Sequence, residues 1–141
     1  MRLSLREDIC DANRLGANPE VLTRRTYLLA PGDCDLMEAV LLRGQSAAGL
    51  ARATGACPRA VLRRVRTLAR RMTSRTFMQA ARAMQHMSEQ DAYMARLHFC
   101  QGLSQRELCQ RLNLTAHTVR RRLDLVAAQV RVLSTLRQRE M

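Results

Sequence analysis

The sequence has no lysine and no tryptophan, and it has only two phenylalanines and two tyrosines in 141 residues. With so few aromatics, the core has to be built from Leu, Val, Ala and Met, which pack well between helices. The expectation is an all-α protein. Nowhere do 18 apolar residues follow one another, and MRLSLREDICD places acids where a signal peptide needs its apolar run. No membrane segment and no secretory leader are therefore expected, and the reading is of a cytoplasmic protein. Five cysteines (Cys10, Cys34, Cys57, Cys100 and Cys109) form no C-x-x-C pair and have no ligand spacing to His86, His98 or His117. That argues against a disulfide framework or a zinc site and leaves them as reduced core thiols. H-E-x-x-H, a Gly-rich phosphate loop and a nucleophile elbow are also missing. No catalytic residue, cofactor or metal site is expected, and the chain is read as a non-enzyme.

The charge is unevenly distributed. All 24 basic residues are Arg, the formal charge is +12, and apolar residues make up 47%. No acid lies between Glu38 and Glu89, where ten arginines fall. A GC-rich genome favours Arg by itself, but the planar guanidinium also suits phosphates and guanine edges. A sustained positive field of this kind implies a polyanionic partner, and nucleic acid is the commonest.

Ser4-x-x-Glu7 has the form of a capping box opening a short helix that Gly16 ends, and Asn18-Pro19 starts a second helix that stops before Pro31-Gly32. From Asp33 onward the chain repeats itself at an offset of 58 residues. Asp33, Gly44, Ser46, Leu50, Val61, Arg63, Arg64 and Ala69 meet Asp91, Gly102, Ser104, Leu108, Val119, Arg121, Arg122 and Ala127. These identities fall at turn, cap, core and basic positions, which is the mark of an internal duplication. Each copy is expected to hold three helices, over 33–43, 47–54 and 58–71 in the first and 89–101, 105–112 and 116–137 in the second. Gly44 and Gly102 end the first helix of each copy, and Ser46 and Ser104 cap the next. Between the copies, Phe77, Ala81, Met84 and Met87 fall at helical spacing, so the link should be a helix. The expected organisation is an N-terminal helical segment (1–31), a first helix-turn-helix unit (32–72), a connector helix (73–87) and a second unit with a long C-terminal helix (88–141). Gly16-Ala17-Asn18-Pro19 followed by Arg24-Arg25 echoes Gly55-Ala56-Cys57-Pro58 followed by Arg63-Arg64, which suggests a degenerate third unit within 1–31.

A helix-turn-helix needs a short helix, a turn that admits a left-handed residue, and a second helix with one buried and one outward face. In the second copy Leu108 and Leu112 form the inner stripe, Asn113 takes the left-handed turn, Leu114 plugs the core, Thr115 caps the next helix, and Val119 and Leu123 face inward. Ala116, His117, Arg120, Arg121 and Asp124 are left outward, with Arg122 at the edge. Helix-start N–H groups beside Thr115 and Thr118 suit a phosphate. His117 and Arg121 are candidates for base edges, and Arg120 and Arg122 for phosphates. In the first copy Leu50, Ala51, Gly55, Ala56, Val61 and Val65 take the corresponding parts, and Arg59 and Arg63, with Arg64 and Arg66 beside them, supply the basic face. Gly49 inside the short helix costs about 1 kcal/mol relative to Ala. This copy either binds DNA less specifically or serves as a packing partner.

LHFCQGLSQRELCQRLNLTAHTVRRRL, residues 97–123, resembles the region 4 helix-turn-helix of sigma-70 family factors and, almost as closely, the DNA-binding domain of LuxR-type regulators. The matching features are Gly102, Ser104, Glu107, Leu108-Cys109, Thr118-Val119 and Arg120 to Arg122. The resemblance covers about 35 residues well and the first copy more loosely. It implies a bacterial transcriptional regulator that binds double-stranded DNA in a sequence-specific way. The aromatic segment with which sigma factors engage melted promoter DNA has no counterpart, so a region 4-like module is expected rather than a whole factor. Region 4 also contacts RNA polymerase and its antagonists, which keeps open a protein-binding adaptor or antagonist that docks on RNA polymerase or another regulator. A DNA-binding subunit of a mobile-element protein is a third reading. Val119, Leu123, Val126, Val130 and Leu133 follow a four-three spacing that fits either a homodimer seam or a helix folded back over its own unit.

Overall fold

In the computed structural model residues 19–139 are described, and there is no strand among them. Eight α-helices follow in order: α1 (Pro19–Arg25), α2 (Pro31–Leu41), α3 (Ala47–Thr54), α4 (Pro58–Thr73), α5 (Arg75–Ala83), α6 (Glu89–Ala95), α7 (Gln105–Leu112) and α8 (Ala116–Arg139). Short 3-10 turns follow α1 (Thr26–Leu28) and α5 (Met84–His86), and α6 runs into a π-helical turn, Arg96–Cys100. The protein is all-α. The Ser4–Glu7 capping box, the helix it opens, Cys10 and Gly16 lie outside the described residues.

Local chemistry sets these boundaries. Pro19, Pro31 and Pro58 each open a helix, where their missing N–H costs nothing. Serines start four others: Ser46, Ser74, Ser88 and Ser104 accept the N–H of Gly49 (3.1 Å), Phe77 (3.2 Å), Asp91 (3.2 Å) and Glu107 (3.2 Å). Gly44 and Gly102 sit in the left-handed region at φ 64° and 77°. Beside them Gln45 N–H bonds to Ala39 O (3.1 Å) and Leu103 N–H to Leu97 O (3.0 Å), each reaching back six residues to close the helix end around the left-handed glycine. Where one helix was expected over 89–101, Gln101 N–H reaches back five residues to Arg96 O at 2.9 Å, so the last turn widens into a π turn.

The chain divides after Thr73 into two compact units. In the first, α1 and α3 each pack against α4, and α2 packs against both α1 and α4. In the second, α5, α6 and α7 all pack against α8. The connector helix expected over 73–87 is not one separate element. The stretch 73–87 is split at Thr73, and α5 contributes Phe77, Ala80 and Ala83 to the core of the second unit. Its buried stripe therefore lies beside the expected one, with Ala81, Met84 and Met87 half-buried.

The 58-residue offset also extends upstream of the eight identities that begin at Asp33. The 3-10 turn at Thr26–Leu28 corresponds to Met84–His86, the start of α2 at Pro31 to that of α6 at Glu89, and α1 overlaps α5. Buried positions match in the same way: Leu22 with Ala80, Met37 with Ala95, Ala39 with Leu97, Leu50 with Leu108, Val61 with Val119, Val65 with Leu123, Leu68 with Val126, and Met72 with Val130. Each copy is thus four helices, not three. Pro19–Arg25 stands at the offset of α5, while the Gly16–Asn18 turn of the suggested third unit lies outside the described residues. Each fully buried Leu, Val or Phe contributes about 1.5–3 kcal/mol, so these shared positions hold both units together.

The four-three series on α8 serves this intramolecular core. Val119, Leu123, Val126 and Val130 are buried in their own unit and Leu133 is half-buried, so the series is not available as a homodimer seam. A different set, Leu125, Val132 and Leu136, faces outward on α8. The cysteines are also less uniform than expected. Cys100 is buried, Cys34 and Cys109 are half-buried, and Cys57 is exposed, with no disulfide among these four. Burial, reinforced by a 3.5 Å hydrogen bond from Cys34 Sγ to the Glu38 carboxylate, pushes the Cys34 thiol up from its ordinary value.

Candidate functional site

Each unit ends in a short helix, a left-handed turn and a longer helix. In the second unit the turn residue is Asn113, at φ 54° and ψ 47°, whose N–H bonds to Cys109 O. Asparagine tolerates this conformation, which most L-residues avoid. In the first unit Gly55 fills the same place at φ 73°. Leu108 and Val119, and correspondingly Leu50 and Val61, are buried where the two helices of each hairpin meet. Thr115 Oγ1 accepts the Thr118 N–H at 3.3 Å and lies 2.8 Å from the Thr118 hydroxyl, so one of the helix-start donors expected for a phosphate is already satisfied. At the corresponding start of α4, the Cys57 carbonyl accepts the Val61 N–H at 3.1 Å.

Burial fixes which faces are outward. On α8, Thr115, Ala116, His117, Arg120, Arg121, Arg122 and Asp124 are exposed, and Thr118 is half-buried against its cap. On α4, Arg59, Arg63, Arg64 and Arg66 are exposed, as is Arg70, which sequence reasoning did not single out. Arg59, Arg63, Arg66 and Arg70 follow the i, i+4, i+7, i+11 spacing of one helical face, opposite buried Val61, Val65, Leu68 and Met72. The four line an open groove of about 260 Å³ floored by Leu62. Between the first and last, the stripe runs about 16 Å along the helix axis. Its spacing was legible once Arg59 and Arg63 had been noticed.

Arg64 does not belong to that face. Its Nε and Nη2 make a bidentate pair with the Asp33 carboxylate at 3.0 Å and 2.6 Å, tying α4 to α2. In the second copy, Asp91 instead accepts from Gln129 Nε2 at 3.0 Å, and Arg122 has no ion-pair partner among the described residues. The same two positions are therefore structural in the first copy, while the second copy leaves its arginine available. Gly49 also gains a reason: a Cβ there would sit 3.3 Å from Ser46 Oγ, the atom that caps its helix.

Among the described residues no three of His, Cys, Asp and Glu lie together as a metal site would require, and no helix is long and apolar enough to cross a membrane. In comparisons with family models, curated proteins and solved structures, none matches the chain.

Proposed function

We propose that the chain binds double-stranded DNA through the outward faces of α4 and α8, as a sequence-specific transcriptional regulator with tandem hairpins of the sigma region 4 kind. The observation that carries this reading is the arginine face of α4. Like charges at i, i+4 destabilise a helix by about 0.2–0.5 kcal/mol per pair, and Arg59, Arg63 and Arg70 have no ion-pair partner among the described residues to offset it. A face of this composition is stabilised when phosphates arrive. On α8, His117, Arg121 and Asp124 combine donor and acceptor groups near the helix start, as contact with base edges needs. The test is selection of bound duplexes from a random pool. Enrichment of a motif is expected, and failure to enrich any would sink sequence-specific binding.

One observation favours a second reading, docking on RNA polymerase or another regulator: Leu125, Val132 and Leu136 are exposed on α8 beyond the arginine triplet. Replacing Arg120 and Arg121 together with alanine separates the two readings. DNA retention should collapse under the first, whereas a contact made through the apolar stripe should survive.

A further inference from the structure

The two copies place different chemistry on matching positions of one frame. At an offset of 58, Arg59, Arg63, Arg66 and Arg70 of α4 become His117, Arg121, Asp124 and Ala128 of α8. Both sets lie opposite the matching buried positions of their helices. The first set consists of four donors and no acceptor. The second keeps one arginine, adds an imidazole, introduces a carboxylate that repels phosphate, and ends on the methyl group of half-buried Ala128.

We infer that the copies divide the work of DNA binding: the α4 stripe grips the phosphate backbone without regard to sequence, and α8 supplies the sequence preference. This inference rests on the DNA-binding reading above. Three observations carry it. The stripe presents four guanidinium donors and no acceptor along about 16 Å of helix, which matches a row of phosphate oxygens and offers nothing that accepts from a base edge. The groove it lines has an aliphatic floor, Leu62, and no aromatic residue for stacking exposed bases, so it suits a duplex backbone better than a single strand. Arg64, the cation next to the stripe, is held by Asp33 and keeps α4 seated on its unit while the other arginines stay on the outer face.

The experiment compares the full chain with two quadruple variants, using duplexes of random sequence and the duplex recovered by selection. The first variant is R59Q/R63Q/R66Q/R70Q, which removes charge from exposed positions while keeping good helix formers. Each neutralised phosphate contributes about −0.9 to the slope of log affinity against log salt. The Gln variant should therefore lose about three to four from that slope, equally on random and selected duplexes. The second is R59K/R63K/R66K/R70K, which keeps the charge but loses the planar fork that reads guanine. It should keep both the slope and the preference for the selected duplex. In parallel, H117A/R121A should lose the preference and only about one unit of slope. An unchanged slope in the Gln variant, or lost preference in the Lys variant, overturns the division of work even if the chain binds DNA well. If the unsubstituted chain does not bind either duplex, both this inference and the DNA-binding reading fall.

Discussion

Arg63 and Arg64 are neighbours in sequence and opposites in role. Arg64 is bonded twice to Asp33, while Arg63 lies in the middle of the outer stripe. Arg63→Gln should therefore relieve like-charge repulsion and raise stability by a few tenths of a kcal/mol while weakening DNA binding. Arg64→Gln should do the reverse, costing up to about 1 kcal/mol because the pair is bidentate but half-exposed, and leaving the salt slope unchanged. Urea unfolding and DNA titration of the two variants check both signs. Asn113 is the other informative residue. Its left-handed backbone makes Asn113→Ala about 1–2 kcal/mol destabilising, whereas Asn113→Gly should stay close to the parent in a thermal melt. Turn and cap residues of this kind were legible in the sequence, because Asn113, Gly55, Ser46 and Ser104 act on backbone within a few positions of themselves. The Asp33–Arg64 pair was not, because its partners are 31 residues apart and only the packing of α2 on α4 brings them together.

At the scale of elements, α8 separates what periodicity can and cannot decide. A four-three series looks the same whether it faces a second chain or its own unit. The structure settles the matter with α5, α6 and α7, which cover Val119, Val126 and Val130. Val126→Ala should then cost about 2 kcal/mol through lost burial and a cavity. Val132→Ala, on the exposed side of the same helix, should stay within about 0.5 kcal/mol. Chemical denaturation of the two variants distinguishes them, and equal losses would contradict the inward assignment. The full length of the repeat was hidden for a related reason. Leu22 and Ala80 share burial but not identity, so matching letters recovered three helices of each copy and missed the fourth.

At the scale of the molecule, one four-helix frame occurs twice with different outward chemistry. Eight buried positions correspond at the offset of 58, although Leu28 is buried where His86 is exposed and Leu42 is exposed where Cys100 is buried. The outward positions carry four arginines in the first copy and His117, Arg121, Asp124 and half-buried Ala128 in the second. Fold was readable in the sequence because core and turn residues constrain each other locally. Arg70 was missed because it lies a full three turns beyond Arg59 on α4, outside the stretch a hairpin motif covers. The central claim, that these outer faces bind a duplex through its phosphates, is tested most directly by titrating the full chain with double-stranded DNA over a range of salt concentrations. The account predicts a log-log slope of about −4 or steeper, from four or more phosphates neutralised at about −0.9 each. An affinity that does not change with salt would contradict it.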